Sequence, residues 1–235
     1  MHKLVLGSGG IFFENESDPI LDHIFSMIGE EHERRMVYLP TAGHDTHEDE
    51  EIVRDYCMCH GFVSCVSLYL SDDSLTDEYI RDTILSAGVI YAGGGNLKFL
   101  LKTWRRRGAD KYLRQAYDNG TVIAGQSSGA MCWCAHGYDN CGKDGRFMFL
   151  DALGFIPYVL CPHFEDWPEF LENVKLQEYD AIGIDNDIAV ASVDGQYTVI
   201  DSGRNPRHSA FYMAAEEDWI VHDIVKEGCA LPHLA

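Results

Sequence analysis

The chain has 235 residues, 38 of them acidic and 18 basic, which gives a formal net charge of −20 at pH 7. A charge of that sign repels phosphate backbones and anionic lipid heads, so we expect neither nucleic-acid binding nor binding to a membrane surface. The sequence has no run of 18 apolar residues, so no membrane span is predicted. The charge is compatible with a homodimer, because charged side chains can lie away from an interface.

The first half of the chain alternates short apolar runs with helical patterns. Strands are predicted at residues 3–7, 35–40, 63–69, 88–92 and 121–124. Helices are predicted at residues 19–30, 47–60 and 75–86, and from after residue 96 to about residue 119. The segment 121–124 is apolar throughout, as in a parallel strand covered on both faces. The alternation predicts an α/β fold, a three-layer sandwich with a central, mostly parallel sheet, in one domain spanning residues 1–235.

The last third of the chain changes character. Three strand candidates, at residues 182–185, 187–193 and 196–201, follow one another closely with turn residues between them. Such spacing is typical of antiparallel pairing, so we expect an antiparallel extension or hairpins at the sheet edge.

Eight cysteines are spread along the chain. The apolar stretch at the N-terminus is too short for a signal peptide, and acidic residues follow it at once. We therefore expect free thiols in a reducing compartment and a cytoplasmic protein.

One cysteine cluster could suggest a metal site. Cys57, Cys59 and His60 lie close together, with His44 and His47 upstream. The C-x-C spacing is not a standard zinc spacing, and on a helix the two thiols point to different faces. We expect no metal and no cofactor.

The sharpest motif is the sequence GQSSGA at residues 125–130, which fits G-x-S-x-G around Ser127. A buried strand precedes it, which is the setting of a nucleophile elbow. In such a turn the flanking glycines leave room that Cβ atoms would fill, and the serine hydroxyl is lifted above the sheet edge. A plain Gly/Ser turn that caps a helix is the alternative.

A serine nucleophile needs a base, and the base needs an orienting group. His163 follows the apolar run FIPYVL and is the candidate base, at a strand end where active sites of α/β proteins form. Asp185 ends another apolar strand and is the candidate acid, although Asp-Asn-Asp at 185–187 is also a good turn. The order Ser, His, Asp differs from the Ser, acid, His order of α/β-hydrolases, which argues against an ordinary esterase or lipase.

A glycine-rich loop, GGGN at residues 93–96, lies between a predicted strand and a helix. Glycines let backbone N–H groups approach a substrate closely, so together with the Ser128 N–H this loop can form an oxyanion hole. A phosphate-binding loop is the rival interpretation, but the Gly-Lys-Ser/Thr ending and the G-x-G-x-x-G spacing are both missing.

Taken together, GGGN, G-x-S-x-G-A, the PHF at residues 162–164 and the strand ending in GID resemble the peptidase E and cyanophycinase family of serine peptidases. The resemblance implies a class I glutamine amidotransferase-like fold, with Ser127 as nucleophile and His163 as base. It implies that Gly94 or Gly95, together with Ser128, supplies the oxyanion N–H groups. Relatives often carry alanine where this chain has Ser128, a change that leaves a backbone donor in place.

The same resemblance implies acyl transfer on a small peptide substrate, with dipeptides that begin with Asp preferred over cyanophycin-type substrates. Relatives often have a glutamate just after the GI strand as third catalytic member, and by position that residue here is Asn186. Either Asp185 takes the role, or Asn186 orients the imidazole as the asparagine of papain-like enzymes does. A non-catalytic binding module on the same fold, or an esterase of another substrate class, is the alternative function. An acidic substrate needs a cation, for which position suggests Arg146, Arg204 and Arg207 equally.

Overall fold

The structure, a computed structural model, describes residues 1–11, 13, 17–167, 169–175, 180–214 and 221–223. Seven cysteines lie within these ranges, and all seven are free thiols. The eighth, Cys229, lies outside the described residues. No helix in the described ranges has the length and apolar character needed to cross a membrane.

The described residues form thirteen strands and seven α-helices. The strands are β1 (Lys3–Gly7), β2 (Arg35–Leu39), β3 (Ser64–Ser67), β4 (Val89–Ala92), β5 (Val122–Gln126), β6 (Cys134–Asp139), β7 (Met148–Asp151), β8 (Ile156–Pro162), β9 (Ala181–Ile184), β10 (Ile188–Val193), β11 (Gln196–Asp201), β12 (Ala210–Met213) and β13 (Val221–Asp223). The helices are α1 (Pro19–Ser26), α2 (Glu50–Cys59), α3 (Asp77–Leu85), α4 (Leu97–Arg107), α5 (Ala109–Asp118), α6 (Ser128–Met131) and α7 (Phe170–Val174).

Local capping explains where several helices begin and end. The Asp18 carboxylate accepts hydrogen bonds from the N–H groups of Ile20 and Leu21 at the start of α1. Asn96, the last residue of GGGN, caps α4 in the same way through the Phe99 N–H. The helical pattern predicted to run to residue 119 is two helices, because Gly108 takes a left-handed conformation with φ 67° between α4 and α5.

The first sheet has seven strands in the order β11-β10-β1-β5-β4-β2-β3. The five strands β1 to β5 run parallel. Strands that are consecutive in the chain are joined by helical crossovers. At one edge β10 pairs antiparallel with β1, and β11 pairs antiparallel with β10. The predicted mostly parallel central sheet with an antiparallel extension is therefore confirmed.

A second sheet, which the sequence analysis did not predict, has the order β13-β12-β9-β8-β6-β7. The segment 182–185, expected at the edge of the first sheet, belongs here. It forms β9, which pairs parallel with β8 and antiparallel with β12. All four residues of β9 are buried, as expected for a strand with neighbours on both sides.

Three apolar clusters hold the layers together. On one face of the first sheet, α1 and α2 cover a cluster that contains Val5 and Tyr91. On the other face the largest cluster joins the sheet to α3, α4 and α5 and to the inner face of the second sheet. The outer face of the second sheet is covered by α7 around Phe170. The carboxyl ends of β4 and β5 in the first sheet therefore lie beside those of β8 and β9 in the second.

Candidate active site

The turn between β5 and α6 has the geometry of a nucleophile elbow. Ser127 has φ 52° and ψ −124°, a conformation that costs energy for a residue with a side chain. The two flanking glycines are required sterically. A Cβ added to Gly125 would lie 2.2 Å from the carbonyl oxygen of Gly129, and one added to Gly129 would lie 2.1 Å from that of Ala92. The Ser127 N–H donates to the carbonyl of Gly7, 3.0 Å away, which ties the elbow to the end of β1.

The imidazole of His163 reaches Ser127 from the second sheet. β8 ends at Pro162, and His163 then adopts a left-handed conformation with φ 55°. Its backbone N–H donates to Ser8 Oγ at 2.7 Å, so the start of the chain holds the turn in place. The Nε2 atom of His163 lies 3.1 Å from Ser127 Oγ, which is hydrogen-bond distance for proton transfer.

Of the two candidates for the third member, the structure brings Asn186 to the imidazole. Asn186 Oδ1 lies 2.6 Å from His163 Nδ1. Asp185 is 5% exposed, and its Oδ2 accepts instead from the backbone N–H of Ser209 at 2.9 Å. Burial, together with the neighbouring Glu165 carboxylate, raises the pKa of the Asp185 carboxyl above its usual range.

The orientation of the Asn186 amide is fixed by its partners. Oδ1 also accepts from the Gly9 N–H at 3.1 Å, and Nδ2 donates to Glu165 Oε1 at 2.5 Å. An amide oxygen cannot donate, so His163 Nδ1 must carry the proton of this hydrogen bond. Nε2 is then the unprotonated nitrogen, with its lone pair available to the Ser127 hydroxyl.

Sequence reasoning missed Ser8, Gly9 and Glu165 as parts of the site. Ser8 and Gly9 belong to the GSGG segment that ends β1, and this glycine-rich strand end was the available signal. Glu165 follows the PHF motif directly, in a short 3₁₀ turn at Phe164–Asp166. Nothing in the spacing of Glu165 to residue 186 indicates that the two side chains meet.

The glycine-rich loop after β4 lies against the nucleophile. A Cβ added to Gly94 would lie 3.2 Å from the Cβ of Ser127. Within the described ranges, no hydrogen-bond acceptor contacts the N–H groups of Gly94, Gly95 and Ser128. The three predicted oxyanion donors thus lie close to Ser127.

Asp139 is a further buried carboxyl beside the nucleophile. It ends β6, is 6% exposed, and its Oδ2 accepts from the Leu97 N–H at 3.1 Å and from Ser128 Oγ at 3.3 Å. Burial raises the pKa of this carboxyl. Asp139 therefore joins the start of α4 to the residue that follows the nucleophile.

A cleft of about 190 Å³ opens beside Ser127 and His163. Its wall is mixed: polar side chains, Asp139 and Asn140 among them, alternate with the aromatic residues Tyr138, Phe147 and Trp167. The Phe147 and Trp167 rings pack with centroids 4.3 Å apart. The cleft is smaller than the ~300–1,000 Å³ pockets that hold drug-sized ligands, so it suits a short substrate.

The structure separates the three candidate cations. Arg204 forms an ion pair with the buried Asp18 at 2.5 Å and lies 3.4 Å from Asp187, so its charge is already engaged. Arg207 is exposed in the loop before β12. Arg146 is exposed and immediately precedes Phe147, a residue of the cleft wall. Arg146 is therefore the candidate placed next to the cleft along the chain.

The two cysteines of α2 differ in their surroundings. Cys57 is buried with its Sγ 3.0 Å from Met36 Sδ, whereas Cys59 is exposed. In the part of the chain that the structure describes, no group of three or more His, Cys, Asp or Glu residues is arranged to hold a metal ion.

Comparison with known proteins places this chain in a family. The family model of Peptidase family S51 matches residues 4–200, which include the elbow, the glycine-rich loop, His163 and Asn186. The chain belongs to peptidase family S51. It is therefore a hydrolase, a peptidase of the serine type, and the predicted family resemblance is confirmed.

Two curated relatives illustrate the range of similarity within the family. The uncharacterized peptidase YgaJ of Bacillus subtilis (strain 168) is 34% identical over 166 residues, which cover 69% of each chain. The uncharacterized peptidase PM1590 of Pasteurella multocida (strain Pm70) is 24% identical over 167 residues, 67% of this chain and 78% of that protein.

Solved structures support the fold. A peptidase from an acI-B1 Actinobacterium superposes with a TM-score of 0.74 at 16% identity, over 98% of this chain and 97% of its own. A Listeria monocytogenes EGD-e protein named after peptidase E superposes with a TM-score of 0.63 at 20% identity, over 86% of this chain and 98% of its own. The α/β fold predicted from the sequence, of class I glutamine amidotransferase-like type, is confirmed.

Proposed function

We propose that this family member hydrolyses short peptides through an acyl-enzyme on Ser127. The observation that carries the proposal is the 3.1 Å contact between Ser127 Oγ and His163 Nε2, with Nδ1 held by Asn186. A hydroxyl in contact with an oriented, unprotonated imidazole nitrogen is the arrangement that activates serine as a nucleophile.

The mechanism follows from these contacts. Ser127 Oγ attacks the peptide carbonyl carbon while its proton passes to His163 Nε2. The carbonyl oxygen becomes negative and accepts hydrogen bonds from the free N–H groups of Ser128 and of Gly94 or Gly95. The imidazolium of His163 then donates its Nε2 proton to the leaving amine as the C–N bond breaks. A water molecule, deprotonated by the same nitrogen, hydrolyses the ester and releases Ser127.

The substrate class that we propose is a dipeptide with an N-terminal Asp. The support is the family resemblance, the small size of the cleft and the place of Arg146 in the chain, immediately before the wall residue Phe147. We propose that the Arg146 side chain reaches the cleft, where it attracts a substrate carboxylate in a protein whose net charge would otherwise repel it. The proposed location is the cytoplasm, in line with free thiols throughout the described ranges.

A dipeptide panel tests the reaction and the specificity together. The panel is Asp-Leu, Asp-Ala, β-Asp-Arg, Ala-Leu and Leu-Ala, with the Ser127→Ala variant as control. We expect hydrolysis of the Asp-Xaa members only, abolished in the variant. Serine-dependent hydrolysis of β-Asp-Arg alone would move the chain to cyanophycin-type substrates. Equal turnover by wild type and variant would contradict the proposed nucleophile.

The role of Arg146 is tested by Arg146→Ala, with Arg207→Ala as a matched exposed-arginine control. Loss of one charge-assisted contact should raise KM for Asp-Leu by about tenfold with kcat nearly unchanged. The contact stabilises the bound substrate and the transition state equally, so its loss weakens both by the same amount. KM for any neutral dipeptide that is turned over stays constant. An equal change in both arginine variants would show a general electrostatic effect instead of a specific contact.

A further inference from the structure

We propose that Glu165 is a positioning residue of this active site: its carboxylate holds the Asn186 amide and supplies the negative charge that an asparagine lacks. The inference rests on the proposed function, since it concerns the base of the same reaction. It extends the Ser127–His163–Asn186 array by one residue, which lies close to His163 in the chain but reaches it only through Asn186.

The contacts form a continuous path. The Ser127 hydroxyl donates to His163 Nε2, His163 Nδ1–H donates to Asn186 Oδ1, and Asn186 Nδ2–H donates to Glu165 Oε1. Glu165 accepts a second time from the Asn186 backbone, with N···Oε1 2.9 Å and N···Oε2 3.1 Å. One carboxylate therefore accepts hydrogen bonds from both the side chain and the main chain of Asn186.

These hydrogen bonds determine which atom of Asn186 faces the imidazole. If the amide were reversed, Nδ2 would face the Gly9 N–H and Oδ1 would face the Glu165 carboxylate, two repulsive contacts. The carboxylate also polarises the amide, which makes Oδ1 a stronger acceptor for His163 Nδ1–H. An imidazolium formed during the reaction is stabilised by the same charge. Glu165 takes no proton at any step.

The groups around Glu165 leave its charge in place. His208 lies 4.0 Å away, but its Nδ1–H donates to the Asn186 carbonyl at 2.7 Å and its Nε2 accepts from Asn205 Nδ2 at 2.7 Å, which is a neutral tautomer. Burial, together with the Glu165 carboxylate, raises the pKa of the neighbouring Asp185 carboxyl above its usual range, so Asp185 binds a proton more readily than an ordinary aspartate does. The Glu165 side chain is 25% exposed, so water screens part of its effect.

The test moves the carboxylate from position 165 to position 186 and the amide from position 186 to position 165. Labelling of the serine by a fluorophosphonate is followed as a rate against pH, so that no peptide substrate is needed. The variants are Glu165→Gln, Asn186→Asp and the double variant with both changes, with Asp166→Asn as the control for loss of a neighbouring carboxylate. Circular dichroism and thermal unfolding check that each variant folds.

We expect Glu165→Gln to label about 10–100-fold more slowly, the range found when a group that orients a functional side chain through hydrogen bonds is lost. The acid limb of its profile shifts to lower pH, because the imidazolium has lost a stabilising charge. Asn186→Asp alone is also slow, since it puts a carboxylate oxygen in the place of Asn186 Nδ2, which lies 2.5 Å from Glu165 Oε1 in the wild type. In the double variant the new carboxylate at position 186 contacts His163 directly and accepts a hydrogen bond from the new amide at position 165. We therefore expect both the labelling rate and its pH profile to recover.

Two results overturn the proposal. If Glu165→Gln matches the wild type in rate and pH profile, or if the double variant is no faster than Glu165→Gln, Glu165 does not act through Asn186. Labelling that depends on Ser127 and His163 but not on Glu165 leaves the proposed function standing. Absence of wild-type labelling at Ser127 contradicts the proposed function, and this proposal with it.

Discussion

The two halves of the active site are held by different forces. The nucleophile half, the elbow around Ser127 with the loop at 93–96, belongs to the first sheet and is shaped by backbone packing that leaves no room for a Cβ at Gly125 or Gly129. The base half, His163 and Asn186, belongs to the second sheet and is held by side-chain hydrogen bonds to Ser8 and Glu165.

This difference has a consequence for substitutions. Steric fit in the nucleophile half depends on close approaches of the backbone, such as that of Gly129 to the Ala92 carbonyl, so one added methyl group is enough to disturb it. The base half depends on pairs of polar side chains that are distant in the sequence, so a change there alters orientation and charge before it alters packing. Variants of the packed glycines in the first half should act mainly on stability, and variants in the second half mainly on rate.

The largest effect is expected in the base half, from His163→Ala. Without the imidazole the serine hydroxyl has no proton acceptor, so kcat for dipeptide hydrolysis falls by about 10⁴–10⁶-fold while the unfolding free energy changes little. His47→Ala, at a 71% exposed side chain, is the matched control and should keep full activity. Unchanged kcat in His163→Ala would remove His163 from the mechanism.

The next effect concerns the nucleophile half and Gly129→Ala. The added Cβ meets the Ala92 carbonyl oxygen at 2.1 Å, a backbone atom that cannot rotate away. We expect the unfolding free energy, measured by urea denaturation, to fall by about 3 kcal/mol. At Gly43 the nearest atom would be 3.8 Å away, so Gly43→Ala should cost much less. Equal losses in both variants would refute the steric account of the elbow.

Asp185→Asn distinguishes the two neighbours at the end of β9. The raised pKa of Asp185 means that the folded protein favours its protonated form, so the stability that this group contributes is present at low pH and is lost as pH rises above its ordinary value of 3.8. The asparagine resembles the protonated form at every pH. The variant should therefore match wild type below pH 3.8 and become relatively more stable as pH increases.

Activity in Asp185→Asn should stay close to that of the wild type, because Asn186 is the residue that contacts His163. A large fall in kcat, together with a stability difference that does not depend on pH, would return Asp185 to the role of third member.

The smallest effect is expected for Ser128→Ala. The proposed oxyanion donor at this position is the backbone N–H, which the substitution leaves in place. The lost hydroxyl contacts the Gly95 carbonyl at 2.6 Å and Asp139 at 3.3 Å, so the unfolding free energy should fall by about 0.5–1.5 kcal/mol. A loss of kcat as large as that of His163→Ala would show that the hydroxyl takes part in the reaction.

The same contrast explains which features the sequence predicts. The parallel strands of the first sheet and the elbow are encoded in short contiguous segments, such as the apolar run 121–124 followed by GQSSGA. Strand boundaries there differ from the prediction by only a few residues; the strand expected at 63–69, for example, is Ser64–Ser67. The sequence also predicts His163 as the base, because a histidine directly after a buried strand is a local pattern.

The second sheet and the orienting group depend on distant partners. β9 was expected at the edge of the first sheet, since its short apolar sequence carries no information about which sheet it joins. Asp185 and Asn186 are adjacent, and distant partners separate them: Asn186 contacts Glu165, 21 residues earlier, whereas Asp185 accepts from the Ser209 N–H. Patterns of hydrophobicity and spacing do not report such pairings.

The most direct test of the account is to map the fluorophosphonate adduct by tandem mass spectrometry while dipeptide hydrolysis is followed in the same sample. The account predicts one adduct per chain, on Ser127, with hydrolysis lost in proportion to labelling. An adduct on another residue, or complete labelling of Ser127 with hydrolysis intact, would contradict it.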